Sequence, residues 1–246
     1  MAAIGELDRR FSAAIARGLH DAPEGACATV GFAGVEEWMP WLDQAGALLD
    51  TAERERALRM KRPRDAAART LAYALHRLFL GVLLGIDACD VPVGRDGEGR
   101  PVVFGTDWRT SLSHADGAFA FAAVRAGPVG IDLERGDRAV GIADIEADIC
   151  HPGESEALAG MTGDARGRAL LEAWVRKEAY LKASGVGLAH AMAAFALPEG
   201  AVRPVVGETD AGTAVETGLL ALHPDYVLAL SRLPRTLVRA MRLSPD

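Results

Sequence analysis

The sequence has few cysteines, and their spacing excludes the usual thiolate metal sites and disulfide frameworks. Only three occur in 246 residues, Cys27, Cys89 and Cys150, and no Cys-x-x-Cys pair is present. Neither a zinc knuckle nor a disulfide-stabilised domain is therefore predicted. Acidic residues, Glu6 and Asp8, precede any apolar run, which is not typical of a signal peptide. A cytoplasmic location is the expectation.

An excess of positive charge and a long hydrophobic run are also missing. The chain has 27 Lys and Arg against 34 Asp and Glu, a net charge of −7. We therefore expect no nucleic-acid partner and only local basic patches. The longest apolar stretch, around Leu78–Ile86, is too short to span a bilayer, so no membrane association is predicted. Half of the residues are hydrophobic and a quarter are charged, as in an ordinary globular protein with an ample core.

Three common catalytic signatures are absent as well. The sequence contains no Walker A loop, no Gly-x-Gly-x-x-Gly and no Gly-x-Ser-x-Gly elbow. A P-loop NTPase, a Rossmann dehydrogenase and an α/β-hydrolase are therefore not predicted.

Apolar periodicity predicts alternating helices and strands over the first half of the chain. A strand is expected at 26–32, a helix with Thr51 as its N-cap, and a longer helix over Ala66–Leu84. The glycine-rich stretch Gly94–Arg100 predicts a turn, and Ser111–Val124 ends in an apolar strand.

The second half repeats this order, which indicates an internal duplication. Glu154–Leu158 resembles Glu53–Leu58, and Arg176 on the later long helix is matched to Arg77 on the earlier one. We therefore predict an α+β fold of two similar α/β halves, related by a pseudo-twofold axis and with a ligand cleft between them. The alternative is two α+β units that merely look alike. The predicted halves are residues 1–127 and 128–246.

Two acidic side chains are expected on one face of a strand. The segment Val129–Glu134 alternates, which places Asp132 and Glu134 on the same face, roughly 7 Å apart. Such carboxylates repel each other unless a cation lies beside them. Oxygen ligands without Cys or a His pair favour Mg²⁺ or Mn²⁺ over zinc. The alternative is a half-exposed edge strand with a solvated acidic face.

A third carboxylate is expected on the inward face of a helix. Trp174, Glu178 and Leu181 share one helical face, and an unpaired buried carboxylate costs about 3 kcal/mol or more. Glu178 is therefore either paired or used in chemistry. Lys177 precedes it and Lys182 lies one turn further on, so this helix is suited to holding a polyanion and a metal.

Basic residues cluster in one part of this acidic chain. Seven cations lie within 54–69, and most should be solvated, but Arg56 and Arg59 lie one turn apart and are suited to clamping a phosphate. Arg100 offers another cation at the end of the glycine-rich turn.

A Ser–His pair precedes the apolar strand. Ser113 and His114 are suited to donating hydrogen bonds to phosphate, and the alternative is a turn serine with a satisfied histidine. A nucleophilic pair is a weaker option, because adjacent residues on an extended segment face opposite ways.

These motifs, in this order, resemble those of the 4'-phosphopantetheinyl transferase superfamily. Gly130-Ile-Asp132-Leu-Glu134, followed by Trp174-x-x-Lys177-Glu178-x-x-x-Lys182, looks like the paired signature of that family. The preceding Arg100-Pro101 and Leu112-Ser113-His114, together with the chain length, are similar to the long, monomeric surfactin-synthetase-activating type. The resemblance covers about residues 50–190.

The resemblance implies a CoA-dependent transferase. Such enzymes bind CoA and a divalent cation, Mg²⁺ or Mn²⁺, in a cleft between two similar α/β halves. They move the phosphopantetheine arm to a serine of an apo acyl or peptidyl carrier protein and release adenosine 3',5'-bisphosphate. Carriers of fatty-acid, polyketide and non-ribosomal peptide synthesis are all candidate partners, and the enzyme is expected to be a monomer.

The resemblance also assigns roles to residues of this chain. Asp132, Glu134 and Glu178 are implied as the metal ligands, Glu178 also as the base for the carrier serine, and Lys182 as the cation that neutralises the phosphate under attack. The residues implied to bind CoA are Arg56, Arg69, Arg100, Ser113, His114, Lys177 and Lys182.

Two other functions stay open at this point. One is another Mg²⁺-dependent enzyme acting on a diphosphate, such as a nucleotide hydrolase, which often carries a Glu-x-x-Glu-Glu cluster that this sequence lacks. The other is a catalytically silent module that binds CoA or a carrier protein. Such a module is expected to have lost an acidic ligand, yet Asp132, Glu134 and Glu178 are all present.

Overall fold

A computed structural model describes residues 5–19, 27–186, 190–206 and 212–246. The helices are α1 Glu6–Leu19, α2 Val35–Trp38, α3 Leu42–Leu48, α4 Thr51–Leu58, α5 Pro63–Leu84, α6 Glu146–Ile149, α7 Pro152–Leu158 and α8 Gly163–Ser184. The strands are β1 Cys27–Gly34, β2 Val93–Arg95, β3 Pro101–Val103, β4 Trp108–Ala115, β5 Ala118–Arg125, β6 Gly130–Arg135, β7 Val202–Pro204, β8 Ala214–Leu219, β9 Tyr226–Arg232 and β10 Leu237–Arg242. Residue 26, where the first predicted strand begins, lies outside the described ranges.

The strands form two sheets, which confirms the α+β class. The first sheet has the order β10-β1-β5-β4-β3-β2 and the second the order β6-β9-β8-β7. Both sheets are antiparallel except where β10 runs parallel to β1. Apolar side chains of β1, β5, β6 and β9, such as Val30, Ala120, Ile131 and Leu230, form a shared core between the sheets. Burial of this apolar surface holds the two sheets together.

The elements repeat in the order that the sequence predicts. Helices α5 and α8 each have 22 residues, and each ends at a glycine with a left-handed backbone, Gly85 (φ 70°) and Gly185 (φ 78°). Glycine is favoured there because other residues resist positive φ. Strand β1 pairs with β5 as β6 pairs with β9, antiparallel in both cases. The twofold axis that would relate the halves stays a prediction.

Short helices that begin with a capping box precede both long helices. In α4 the N-cap is Asp50, not Thr51 as predicted, and its side chain accepts from the amide of Glu53. In α7 the N-cap is His151, and Glu154 returns the second bond of the box. A reciprocal pair of this kind satisfies two amide groups that a helix start leaves unbonded.

The predicted match between Arg77 and Arg176 was wrong, as the contacts of the two capping glutamates, Glu53 and Glu154, show. Arg77 of α5 donates from Nε to Glu53 at 2.6 Å, and Lys177 of α8 donates to Glu154 at 2.5 Å. By contact, the counterpart of Arg77 is therefore Lys177 and not Arg176. Sequence matching favoured Arg176 because both residues are arginine.

The last strand crosses between the predicted halves. Strand β10 pairs with β1 from Cys27↔Leu237 to Phe32↔Arg242, so it belongs to the first sheet. The boundary between residues 127 and 128 stays a prediction for the remainder of the chain.

Helix α5 is the one helix within the described ranges that is long and apolar enough to cross a membrane. It begins at Pro63, well before the Leu78–Ile86 stretch, and ends at Leu84. The expected absence of membrane association stays a prediction. In the structure, 61% of its apolar window is buried inside the protein, and Leu71, Leu75 and Phe79 are fully enclosed by the core. Buried core helices can be as long and as apolar as a membrane-spanning helix, so α5 is weak evidence for a membrane span.

Candidate active site

The two sheets meet where β4 lies against β6. The amide of Ile131 donates to Ser111 Oγ at 3.1 Å across this junction. Helix α8 covers the other face of β6, and it comes so close at Gly130 that any side chain there would run into the backbone of Ala179. Because strand residues alternate, Asp132 shares the face of Gly130 that α8 covers.

Residues from three elements form a hydrogen-bonded cluster at this junction. Lys182 Nζ donates to Asp132 Oδ1 at 2.6 Å and to Ser113 Oγ at 3.0 Å, and Ser113 Oγ donates to the same carboxylate oxygen at 2.8 Å. The Asp132 side chain is only 7% exposed. The alternative of a solvated acidic strand face is therefore wrong for Asp132, and the structure brings together Ser113, Asp132 and Lys182.

Glu134 and Glu178 lie close enough to Asp132 for its negative charge to raise the pKa of both carboxyl groups. Desolvation, followed by repulsion from Asp132, raises the pKa of Glu178 to about 7, against the opposing charge of Lys182. Desolvation also raises the pKa of Glu134, and Asp132 adds to the shift while Arg138 opposes it. Both glutamates are therefore harder to ionise than in water, mainly because they are desolvated and in part because Asp132 is close.

The chemistry of these groups fits a hard divalent cation. Asp132 Oδ2 is buried and has no hydrogen-bond partner, so the negative charge on this carboxylate oxygen is not compensated by any donor of the described residues. The surrounding donors are carboxylate oxygens, which Mg²⁺ and Mn²⁺ prefer. A cation beside Asp132, Glu134 and Glu178 would relieve their repulsion and compensate that oxygen.

The side chains do not, however, form a finished metal cage as they stand. Throughout the described ranges, no three His, Cys, Asp or Glu side chains converge closely enough to hold a metal ion. Two of the acids are instead paired with cations of the protein, Asp132 with Lys182 at 2.6 Å and Glu134 with Arg138 at 2.7 Å. Metal binding at these residues stays a prediction.

His114 points to the opposite side of β4 from Ser113 and contacts the basic run. Arg69 Nη2 lies 3.0 Å from His114 Nε2. Since a guanidinium can only donate, this imidazole nitrogen accepts, and the ring is neutral with its proton on Nδ1. Desolvation, then the charges of Arg69 and Lys182, lowers the pKa of His114, even though more than a third of the residue stays exposed. The free Nδ1–H of a neutral ring is a donor that a phosphate oxygen can use.

A basic cleft of about 360 Å³ begins at Lys182. Arg100 lies in it and is fixed by an ion pair of 2.7 Å from its Nε to Asp96 Oδ2. Its guanidinium also packs at Gly185, where a side chain would overlap it. The cleft is lined in part by Arg95, Arg100, Trp108, Arg109, Val129 and Lys182.

A smaller pocket of about 80 Å³ contains Arg56 and shares Arg95 with the basic cleft. The guanidinium of Arg95 lies 5.5 Å from the ring centroid of Tyr73. Burial lowers the pKa of Arg95, and the neighbouring charges of Arg56 and Arg69 add to this shift. The structure therefore adds Arg95 to the predicted cations. The only sequence signal for it was its place in the glycine-rich turn that Arg100 closes.

The structure places Lys177 away from the cleft and corrects its predicted role in CoA binding. Its side chain is 0% exposed. The ammonium donates to Glu154 at 2.5 Å and to the carbonyl oxygens of Ile149, Phe195 and Met192 at 2.8, 2.7 and 3.0 Å. Every N–H of the ammonium is used inside the protein, so none is left for a phosphate.

Comparison with known proteins supports the family resemblance. Residues 128–231 match the family model of the 4'-phosphopantetheinyl transferase superfamily. Over 153 residues the chain is 28% identical to the 4'-phosphopantetheinyl transferase HetI of Nostoc sp., an alignment that covers 60% of this chain and 64% of the relative. The chain thus spans just under two thirds of that relative's length. The predicted resemblance to the superfamily is confirmed, and the matched range includes Asp132, Glu134, Glu178 and Lys182. The similarity to the long, monomeric surfactin-synthetase-activating type stays a prediction.

Proposed function

Because residues 128–231 are similar to the 4'-phosphopantetheinyl transferase superfamily, we propose that this chain transfers the 4'-phosphopantetheine arm of CoA to a serine of an apo carrier protein. The carrier is an acyl or peptidyl carrier protein, and adenosine 3',5'-bisphosphate is released. The observation that carries the proposal is the junction of Ser113, Asp132 and Lys182, which lies beside Glu178 and opens into a cleft rich in arginine.

The reaction needs charge neutralisation and alignment more than covalent help from the protein. The serine oxygen forms a bond to the phosphorus that carries pantetheine, and the bond from that phosphorus to the bridging oxygen breaks. The electron pair leaves with adenosine 3',5'-bisphosphate. Lys182 offers positive charge to the phosphate under attack, as a preorganised cation does in a partly buried site.

Glu178 is the proposed acceptor of the serine proton. In the metal-free protein its pKa is raised to about 7 from 4.5, which makes this carboxylate a better base near neutral pH than an ordinary glutamate. A divalent cation held by Asp132, Glu134 and Glu178 would supply further neutralisation at the diphosphate. In this proposal Arg56, Arg69, Arg95, Arg100 and His114 hold the CoA phosphates. We also propose that the protein acts in the cytoplasm as a monomer.

A transfer assay tests the proposed reaction directly. The protein is incubated with CoA, Mg²⁺ and apo carriers of both classes, and each carrier is weighed by mass spectrometry. The expected result is a gain of one phosphopantetheine group per carrier, and its loss when EDTA is added. A diphosphate hydrolase would release adenosine 3',5'-bisphosphate without a carrier, and a binding module would release none. Absence of a mass gain across acyl and peptidyl carriers would contradict the proposal.

CoA affinity should depend on the contact between Arg69 and His114. We expect Arg69→Ala and His114→Ala each to weaken CoA binding about tenfold, since a charge-assisted hydrogen bond contributes about 1.5–3 kcal/mol. Isothermal calorimetry measures the change. Arg64→Ala is the matched control, because Arg64 lies on the same helix but pairs with Glu36 on the surface at 3.0 Å. Unchanged affinity in both variants would place the phosphate site elsewhere.

A further inference from the structure

One arginine connects the acid cluster to the tryptophan of the α8 motif. Arg138 lies in the 3-10 turn Gly136–Ala139 that directly follows β6. Its Nη1 donates to Glu134 Oε1 at 2.7 Å, and its Cζ lies 5.1 Å from the ring centroid of Trp174. Trp174 stands one helical turn before Glu178, so the three side chains link the end of β6 to α8.

Packing fixes the turn that carries this arginine. A side chain at Gly167 of α8 would run into the backbone of Ala139, so the turn lies directly on the helix. Ala139 and Trp174 pack against the same apolar core. The guanidinium lies over the indole ring, which is a cation–π contact. The turn and the ring together leave Arg138 little freedom, although 45% of its side chain is exposed.

We infer that Arg138 is a positioning residue, which fixes the orientation of the Glu134 carboxylate and is itself held against the ring of Trp174. The inference rests on the proposed function, because it acts through Glu134 as a metal ligand. It also gives Trp174 a task that burial does not explain, since the residue is only partly buried. Groups that orient a metal ligand typically change metal affinity about 10- to 100-fold when removed.

The opposite reading makes the opposite prediction. If Arg138 were only a counter-ion competing with a metal for Glu134, its removal would strengthen metal binding. The sign of the change therefore separates positioning from competition. Arg135 provides the matched control, because it lies three residues earlier with 43% of its side chain exposed and pairs with Asp137 at 2.7 Å and Asp116 at 3.8 Å.

The first measurement is Mn²⁺ affinity by calorimetry at saturating CoA. We expect Arg138→Ala to weaken binding about tenfold and Arg135→Ala, which removes the same charge, to leave it unchanged. Trp174→Leu should weaken binding as well, and the double variant Arg138→Ala/Trp174→Leu should lose less than the sum of the two single changes, because both act through one contact. Unchanged or tighter binding in Arg138→Ala overturns the inference, and additive losses overturn the role of Trp174 in holding Arg138.

A second measurement separates failure of this inference from failure of the proposed function. In the metal-free protein, the NMR signal of the Trp174 indole N–H should shift in Glu134→Gln and Arg138→Ala but stay in place in Arg135→Ala. If wild type does not bind Mn²⁺, the metal role in the proposed function fails, and the NMR shifts still decide whether Arg138 links Glu134 to Trp174. A Trp174 signal that does not move in Glu134→Gln overturns the link.

Discussion

Glu178→Gln should lower the rate of carrier modification about 10²- to 10⁴-fold, the usual contribution of a general base. The amide has the shape of the carboxylate but cannot accept the serine proton, and it is a poor substitute as a ligand. Rates are measured by mass spectrometry of the carrier. The control is Glu172→Gln on the same helix, where Glu172 pairs with Arg168 at 2.7 Å on the exposed side. A Glu178→Gln rate near that of wild type would show that the assigned role is wrong.

The Glu178→Gln variant should keep the fold, and the pH dependence of its free energy of unfolding checks this. The pKa of Glu178 is raised to about 7 in the folded metal-free protein by desolvation and by Asp132, compared with 4.5 for the free side chain. Ionisation of Glu178 therefore costs stability as pH rises from 4.5 through 7, and the cost is complete above 7. Glu178→Gln removes this cost, so metal-free variant and wild type should differ most above pH 7, with the variant more stable, and converge below pH 4.5. Urea unfolding at several pH values measures the difference.

Local pattern predicted much of the cluster, because strand alternation and helical spacing are properties of neighbours in sequence. The alternation around Asp132 places Glu134 on the same side of β6, and Lys182 lies one turn after Glu178 in α8 as expected. Those local patterns do not predict which helix or strand packs against which other element. The contact of Ser113 with Asp132 depends on how β4 meets β6, and sequence reasoning did not predict it, because the family resemblance implied Ser113 only as a residue that binds CoA.

Two features escaped sequence reasoning for identifiable physical reasons. Strand β10 pairs with β1, although most of the sequence lies between the two strands. An amphipathic pattern indicates a strand but does not indicate which sheet the strand joins. Lys177 looked like a site residue because it adjoins Glu178 in sequence. Successive residues of a helix point about 100° apart, since one turn takes 3.6 residues. A residue next to Glu178 therefore faces a different neighbour, which in the fold is Glu154.

That reassignment makes Lys177→Met a second variant with a large expected effect. The change leaves Glu154 and three carbonyl oxygens without the ammonium that binds them inside the protein. Breaking a buried ion pair by removing one partner costs about 3–5 kcal/mol, so the free energy of unfolding should fall by that amount. Urea denaturation measures it. Arg77→Met should cause a loss of similar size, because Arg77 serves Glu53 in the same way at 2.6 Å, whereas the exposed Lys61→Met should change little.

CoA binding decides between the two roles proposed for Lys177. A lysine that contacts phosphate in the cleft contributes affinity that weakens with added salt, because ionic strength screens exposed charges far more than buried ones. Its loss would weaken CoA binding and reduce the salt dependence, while stability stayed near that of wild type. A buried anchor does the reverse: in Lys177→Met the protein unfolds at lower urea, and the fraction that remains folded binds CoA with the salt dependence of wild type. Retained stability combined with weakened, less salt-sensitive CoA binding would return Lys177 to the cleft and contradict the buried position found here.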